Sequence, residues 1–80
     1  MKLYIANCID RHIDPVIKVF DTVEAAIDCA KAFALKGARG DASKIEERTI
    51  PGWLYYATFS VEGDKVYVTE TTLNDKRDNA

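Results

Sequence analysis

Residues able to do chemistry gather at three places along the chain. The first is Asp10, Arg11, His12 and Asp14, where an Asp-x-His-x-Asp spacing offers three oxygen or nitrogen ligands to one divalent ion. The same alternation of polar side chains is what a short hairpin loop needs, and His12, the single histidine, has no nucleophile beside it to activate. The loop reading is therefore preferred, with no metal and no cofactor. The second is the run Lys36, Arg39, Lys44 and Arg48 around Gly37 and Gly40, a set of cations that suits phosphate. Anions, however, favour the N-terminal end of a helix, where free N–H groups point outward, and this run follows a C-terminal end. The third is the aromatic cluster Trp53, Leu54, Tyr55 and Tyr56, which suits contact rather than catalysis.

Composition narrows the classes further. Eighty residues leave room for one hydrophobic core, so a catalytic domain joined to a separate cofactor domain is excluded. Eleven basic against thirteen acidic side chains give a net charge of −2, without a global field that attracts nucleic acid or anionic lipid. Apolar stretches fall short of the roughly 20 residues that a membrane helix requires, and Asn7 and Asp10 interrupt any leader-like run. A cytoplasmic location is expected, with no membrane partner. Cys8 and Cys29 match neither a Cys-x-x-Cys pair nor a zinc site, and both read as buried thiols.

The elements that must position these residues follow from periodicity. Leu3 to Ile9 and Val16 to Phe20 form a β-hairpin around a polar loop, with Ile5 opposite Val19 and Asn7 opposite Ile17. Placing Leu3, Ile5, Ile9, Ile17 and Val19 toward the core leaves Tyr4, Ala6, Cys8, Val16, Lys18 and Phe20 on the opposite face. Asp21, followed by Glu24, signals a helix start. Val23, Ala26, Ile27, Ala30, Phe33 and Ala34 share one helical face, and Gly37 supplies a left-handed stop. Within 37–52 a short edge strand over Ile45 to Ile50 and an open loop are equally compatible with the pattern. Trp53 to Glu62 and Lys65 to Leu73 are strands joined at Gly63-Asp64, which sets Val61 opposite Val66, Phe59 opposite Val68 and Ala57 opposite Glu70. Alternation then sends Trp53 and Tyr55 to the helix side and Leu54, Tyr56 and Tyr67 to the back. Glu70 is expected at the rim, and Asn7 on a backbone group.

The segments Phe20-Asp21-Thr22-Val23-Glu24-Ala25-Ala26 and Pro51-Gly52-Trp53-Leu54-Tyr55-Tyr56-Ala57, with Glu62-Gly63-Asp64, resemble small single-domain proteins of phages and prophages. That resemblance brings no catalytic residues. By analogy of size and setting it implies an inhibitor that occupies a host complex, as anti-CRISPR proteins do.

The resulting expectation is a single α+β domain over 1–73 with a flexible tail over 74–80. It is a two-layer sandwich of ββαββ order, with a mostly antiparallel sheet and one helix on one face. A single helix roofs a single face, so the function expected is non-catalytic protein binding through the uncovered one. Tyr4, Phe20, Tyr56 and Tyr67 would supply apolar contact, with Arg39, Glu46, Glu47 and Arg48 adding charge complementarity. The expected partner is a host protein complex or, as a homodimer, a second copy. The alternative is a small nucleic-acid binder using the basic loop of 36–48.

Overall fold

A computed structural model describes residues 1–72, so the expected tail over 74–80 lies outside the described residues. Strands β1 (Lys2–Ile9) and β2 (Val16–Phe20) precede helix α1 (Val23–Gly37) and a short 3-10 turn (Ala42–Lys44). Strands β3 (Glu46–Glu47), β4 (Tyr55–Thr58) and β5 (Lys65–Thr72) follow. The five strands form one antiparallel sheet in the order β2-β1-β5-β4-β3, with α1 packed on one face. The α+β class matches the expectation, while the strand count does not: Glu46–Glu47 adds a fifth strand on the far edge, paired to Thr58 and Ala57. No helix among the described residues is long and apolar enough to cross a membrane.

Helix α1 begins one residue later than expected. Thr22, rather than Asp21, holds the extended N-cap conformation, and its hydroxyl accepts from the Ala25 N–H at 3.2 Å. The helix then runs through Gly37, and the chain reverses instead at Arg39 (φ 58°) and Gly40 (φ 80°). Gly37 is required for a different reason. Its missing Cβ leaves room for the Phe59 ring, which lies directly against it and meets Phe33 edge-on at 6.1 Å.

The first hairpin has the expected register, Ile5 opposite Val19 and Asn7 opposite Ile17, but the opposite face turned inward. Ala6 and Cys8 are fully buried under the helix, and Tyr4, Val16 and Phe20 pack against the same core. Ile17 and Val19 face outward, 62% and 56% exposed. Size favours this inversion. The helix presents Ala26, Ala30 and Ala34, all fully buried, and the small Ala6 and Cys8 of β1 share that core with Val66, Val68 and Phe59. Both faces of β1 are apolar, and hydrophobicity alone could not rank them.

The last hairpin keeps its expected face and changes its register. Ala57 opposes Val66, Tyr55 opposes Val68, and the Phe59 N–H donates to the Asp64 carbonyl. The turn is thus four residues, Ser60 to Gly63, and Val61 and Glu62 leave the strand altogether. Asp64 enforces this arrangement. Its carboxylate, 5% exposed, accepts the Arg11 backbone N–H at 3.0 Å on one oxygen and the Ser60 hydroxyl at 3.0 Å on the other. Two hairpin turns are pinned together by one buried carboxylate. Glu70 sits across from Tyr4 at the rim, where it meets Lys2 at 3.4 Å.

Two outcomes follow from this packing. Gly37→Ala is expected to destabilise the domain by about 1–3 kcal/mol despite alanine's better helix propensity, because the buried Phe59 ring has no room to retreat; urea unfolding measures it. The Arg11 N–H, and after it the Ser60 hydroxyl, hold the Asp64 carboxyl below the ordinary carboxylate range against the effect of burial. A depressed folded value stabilises the domain above the unfolded value of about 3.9 and is lost as pH falls through the folded one. Acid unfolding of Asp64→Ala is therefore expected to lack this component, and the variant to lose about 1.5–3 kcal/mol at neutral pH.

Candidate protein-binding face

Among the described residues, no helix packs on the rear of the sheet. Ile17 and Val19 from β2, Ile5 from β1, and Tyr67 and Tyr56 from β5 and β4 share it in two cross-strand rows: Ile17–Asn7–Tyr67–Tyr56 and Val19–Ile5–Thr69. Asn7 lies among them, its amide donating to the Ile5 carbonyl at 3.4 Å.

Trp53 completes the face by a route that strand alternation does not describe. The Trp53 N–H donates to the Ile50 carbonyl at 3.1 Å, closing a turn over Pro51 and Gly52. Gly52 has φ 89°, the positive value that this position of a type II turn requires. Beyond the turn the chain has not yet entered β4, and the indole falls on the rear side. Its ring stacks on Tyr67 with centroids 4.4 Å apart at 14°, and on Tyr56 at 5.3 Å and 28°. Trp53, expected on the helix side, thus belongs to the uncovered face. Three rings braced on one another present a flat surface that loses little side-chain freedom on contact.

The expected contact residues divide among four places. Tyr56 and Tyr67 lie on the rear face. Tyr4 and Phe20 do not: the inverted hairpin packs them on the helix-side core. Glu46, Glu47 and Arg48 lie at the β3 edge, where the Arg48 guanidinium meets Glu46 at 3.7 Å and the Arg48 backbone N–H donates to the Tyr56 carbonyl. Arg39 lies at the C-terminal end of α1, lining a cleft of about 460 Å³ with Ser43, Lys44, Glu46, Phe59 and Glu62. Ile5, Ile17, Val19 and Trp53 were missed as contact residues because alternation assigned each to the core; their size relative to the helix alanines was the available signal.

The titratable groups that depart from ordinary values each serve a structural contact. Burial, then hydrogen bonding to Glu47 at 2.7 Å, raises the Tyr55 phenol, which also lies beneath Lys31 at 5.7 Å. The Ser43 hydroxyl, 2.6 Å from Asp41, and then the Ser43 N–H lower the Asp41 carboxyl at the cap of the 3-10 turn. At the first hairpin loop the Asp10 carboxylate is occupied by the His12 N–H at 2.9 Å. Among the described residues no three His, Cys, Asp or Glu side chains converge as metal ligands.

Burial, then the neighbouring Cys29, pushes the Cys8 thiol up to about 11. Cys29 on α1 is half-buried. A thiol reagent is accordingly expected to titrate Cys29 first in the native protein and Cys8 only on unfolding, since the thiolate is the reactive form; a native-versus-denatured thiol count checks this. Comparison of the chain with protein-family models, with curated proteins and with solved structures finds no match.

Proposed function

We propose that this chain is a non-catalytic protein-binding module that works by laying the rear face of its sheet on a protein surface. The observation that carries the reading is the braced Trp53, Tyr67 and Tyr56 stack, which shares the rear face with the exposed Ile17 and Val19 across Asn7 and Ile5. Aromatic anchors within a contiguous apolar patch are the usual composition of an interface centre.

The treatment of the sheet edges supports a face rather than an edge. Strand β2 is preceded by Pro15 and carries an exposed Lys18, and β3 is two glutamates long with Arg48 and Pro51 after it. Charged, short and proline-flanked edges discourage strand addition. Among the described residues, the rear face carries Lys65 and Glu46 at one end and apolar or uncharged side chains over the rest. The basic cleft near Arg39 and Lys44 favours nucleic acid less, because Glu46 and Glu62 line it too. In its most concrete form the proposal is an inhibitor that occupies part of a host assembly, as the resemblance to phage-type proteins implies.

The test is affinity capture with wild-type bait beside Tyr56→Asp, Tyr67→Asp bait, after circular dichroism has shown both to be folded. Loss of a captured protein from the double variant alone is the expected outcome. Recovery of the same proteins by both baits overturns the assignment of the rear face.

A further inference from the structure

We infer that Cys8 and Cys29 are a redox pair, which a small-molecule disulfide such as glutathione disulfide oxidises to an internal disulfide stapling α1 to β1.

The backbone brings the two cysteines together. Cys8 lies on the helix side of β1, fully buried, between Val16 of β2 and Val66 of β5. Cys29 lies on α1, half-buried against the same core as Ala26 and Ala30. The flank of the helix it occupies is fixed by Lys31, whose ammonium stands 5.7 Å over the Tyr55 ring of β4. Two residues turn an α-helix by about 200°, so Cys29 falls on nearly the opposite flank, toward β1 and β2. Position along the helix agrees as well. Helix α1 starts just after Phe20, which opposes Tyr4, and ends against Phe59, just beyond the Thr58–Lys65–Ile9 row. Its middle, with Cys29, therefore lies over the stretch of β1 where Ala6 and Cys8 face the helix. The thiols meet there: Cys29 is the side-chain hydrogen-bond neighbour of Cys8. Closure to the ~2.05 Å of an S–S bond is what remains.

Unequal access gives the pair an order of reaction. Cys29 reaches solvent and Cys8 does not. The Cys29 thiolate attacks one sulfur of glutathione disulfide, and one glutathione leaves as its thiolate and takes up a proton. The Cys29 sulfur now carries its leaving group on the solvent side. Cys8 gives up its proton and attacks that sulfur from the interior, and the second glutathione leaves in the same way. Two thiol protons and two electrons pass from the protein to one disulfide, giving one internal S–S bond and two glutathione molecules. Burial works against a thiolate at Cys8, and the Lys18 ammonium, on the helix side of β2 opposite Ala6, works for it. The closing step is accordingly the slower one. An alkylating reagent at Cys29 leaves no S–S bond for Cys8 to attack and stops there.

The experiment uses the full chain under native conditions, with glutathione disulfide as the oxidant. Intact mass, non-reducing peptide mapping and urea unfolding are read for wild type, Cys8→Ala and Cys29→Ser, with circular dichroism as the check on folding. Wild type is expected to lose two hydrogens without retaining glutathione, with Cys8 and Cys29 in one linked peptide pair. Cys8→Ala is expected to hold one glutathione on Cys29, and Cys29→Ser to stay unmodified. Closing the loop from Cys8 to Cys29 is expected to raise the wild-type urea midpoint by roughly 1–3 M over the reduced form. A wild type that retains glutathione at Cys29, that links Cys29 to Cys29 of a second chain, or that ignores the oxidant overturns the inference. So does an internal bond whose urea midpoint equals or falls below that of the reduced chain, since such a bond is no staple. The wild-type readouts decide the matter even where a variant does not fold.

Discussion

Close approach of one alanine-faced helix to the sheet is the constraint from which the rest of this structure follows. Ala26, Ala30 and Ala34 meet Ala6, Cys8 and Ala57 with all six fully buried. Val66, Val68 and Phe59 complete this interior, so the small residues of β1 lie inward beside them and its larger neighbours on β2 do not. The larger aliphatic residues of the first hairpin are displaced to the far side, and the apolar rear face is a by-product of tight packing in front. Phe33 and Phe59 meet edge-on beside Gly37 where the helix ends, and Tyr4, Phe20 and Tyr55 pack against the same core.

A second constraint ties the two hairpins. Asp64 serves the Arg11 backbone and the Ser60 hydroxyl together, and one buried carboxylate thereby fixes the turn length of the last hairpin against the loop of the first. The Arg11 to Glu62 ion pair at 2.7 Å spans the same loops, yet its exposure makes it a minor contributor beside the buried hydrogen bonds. With β1 held centrally against β5, the rear rows of β2, β1, β5 and β4 are aligned into one surface instead of two separate ribbons.

The rear face combines braced rings with little charge: among the described strand residues it carries Lys65 and Glu46. A type II turn at Pro51-Gly52 delivers Trp53 onto Tyr67 and Tyr56, so the ring orientations are set before any partner arrives. Pre-ordered rings reduce the entropy that association costs. Most of the charged residues lie elsewhere, along the helix, the hairpin loops and the two edges.

Local sequence determined the elements whose signals are local. The apolar period of α1, the pairing of Ile5 with Val19, the rim position of Glu70 and the turn at Pro51-Gly52 all follow from spacing or from one residue's backbone preference. Local sequence did not determine which face of the first hairpin is buried. Both of its faces are apolar, and the choice depends on the separation of helix and sheet, a distance that no single segment encodes. It likewise left undecided the register of the last hairpin, where Asp64 selects a four-residue turn by bonding to a loop fifty-three positions away. The side taken by Trp53 depends on a turn that interrupts strand alternation. Tyr56 and Tyr67 were therefore legible as face residues, whereas Ile5, Ile17, Val19 and Trp53 became so, and Tyr4 and Phe20 ceased to be, only once the layers were packed.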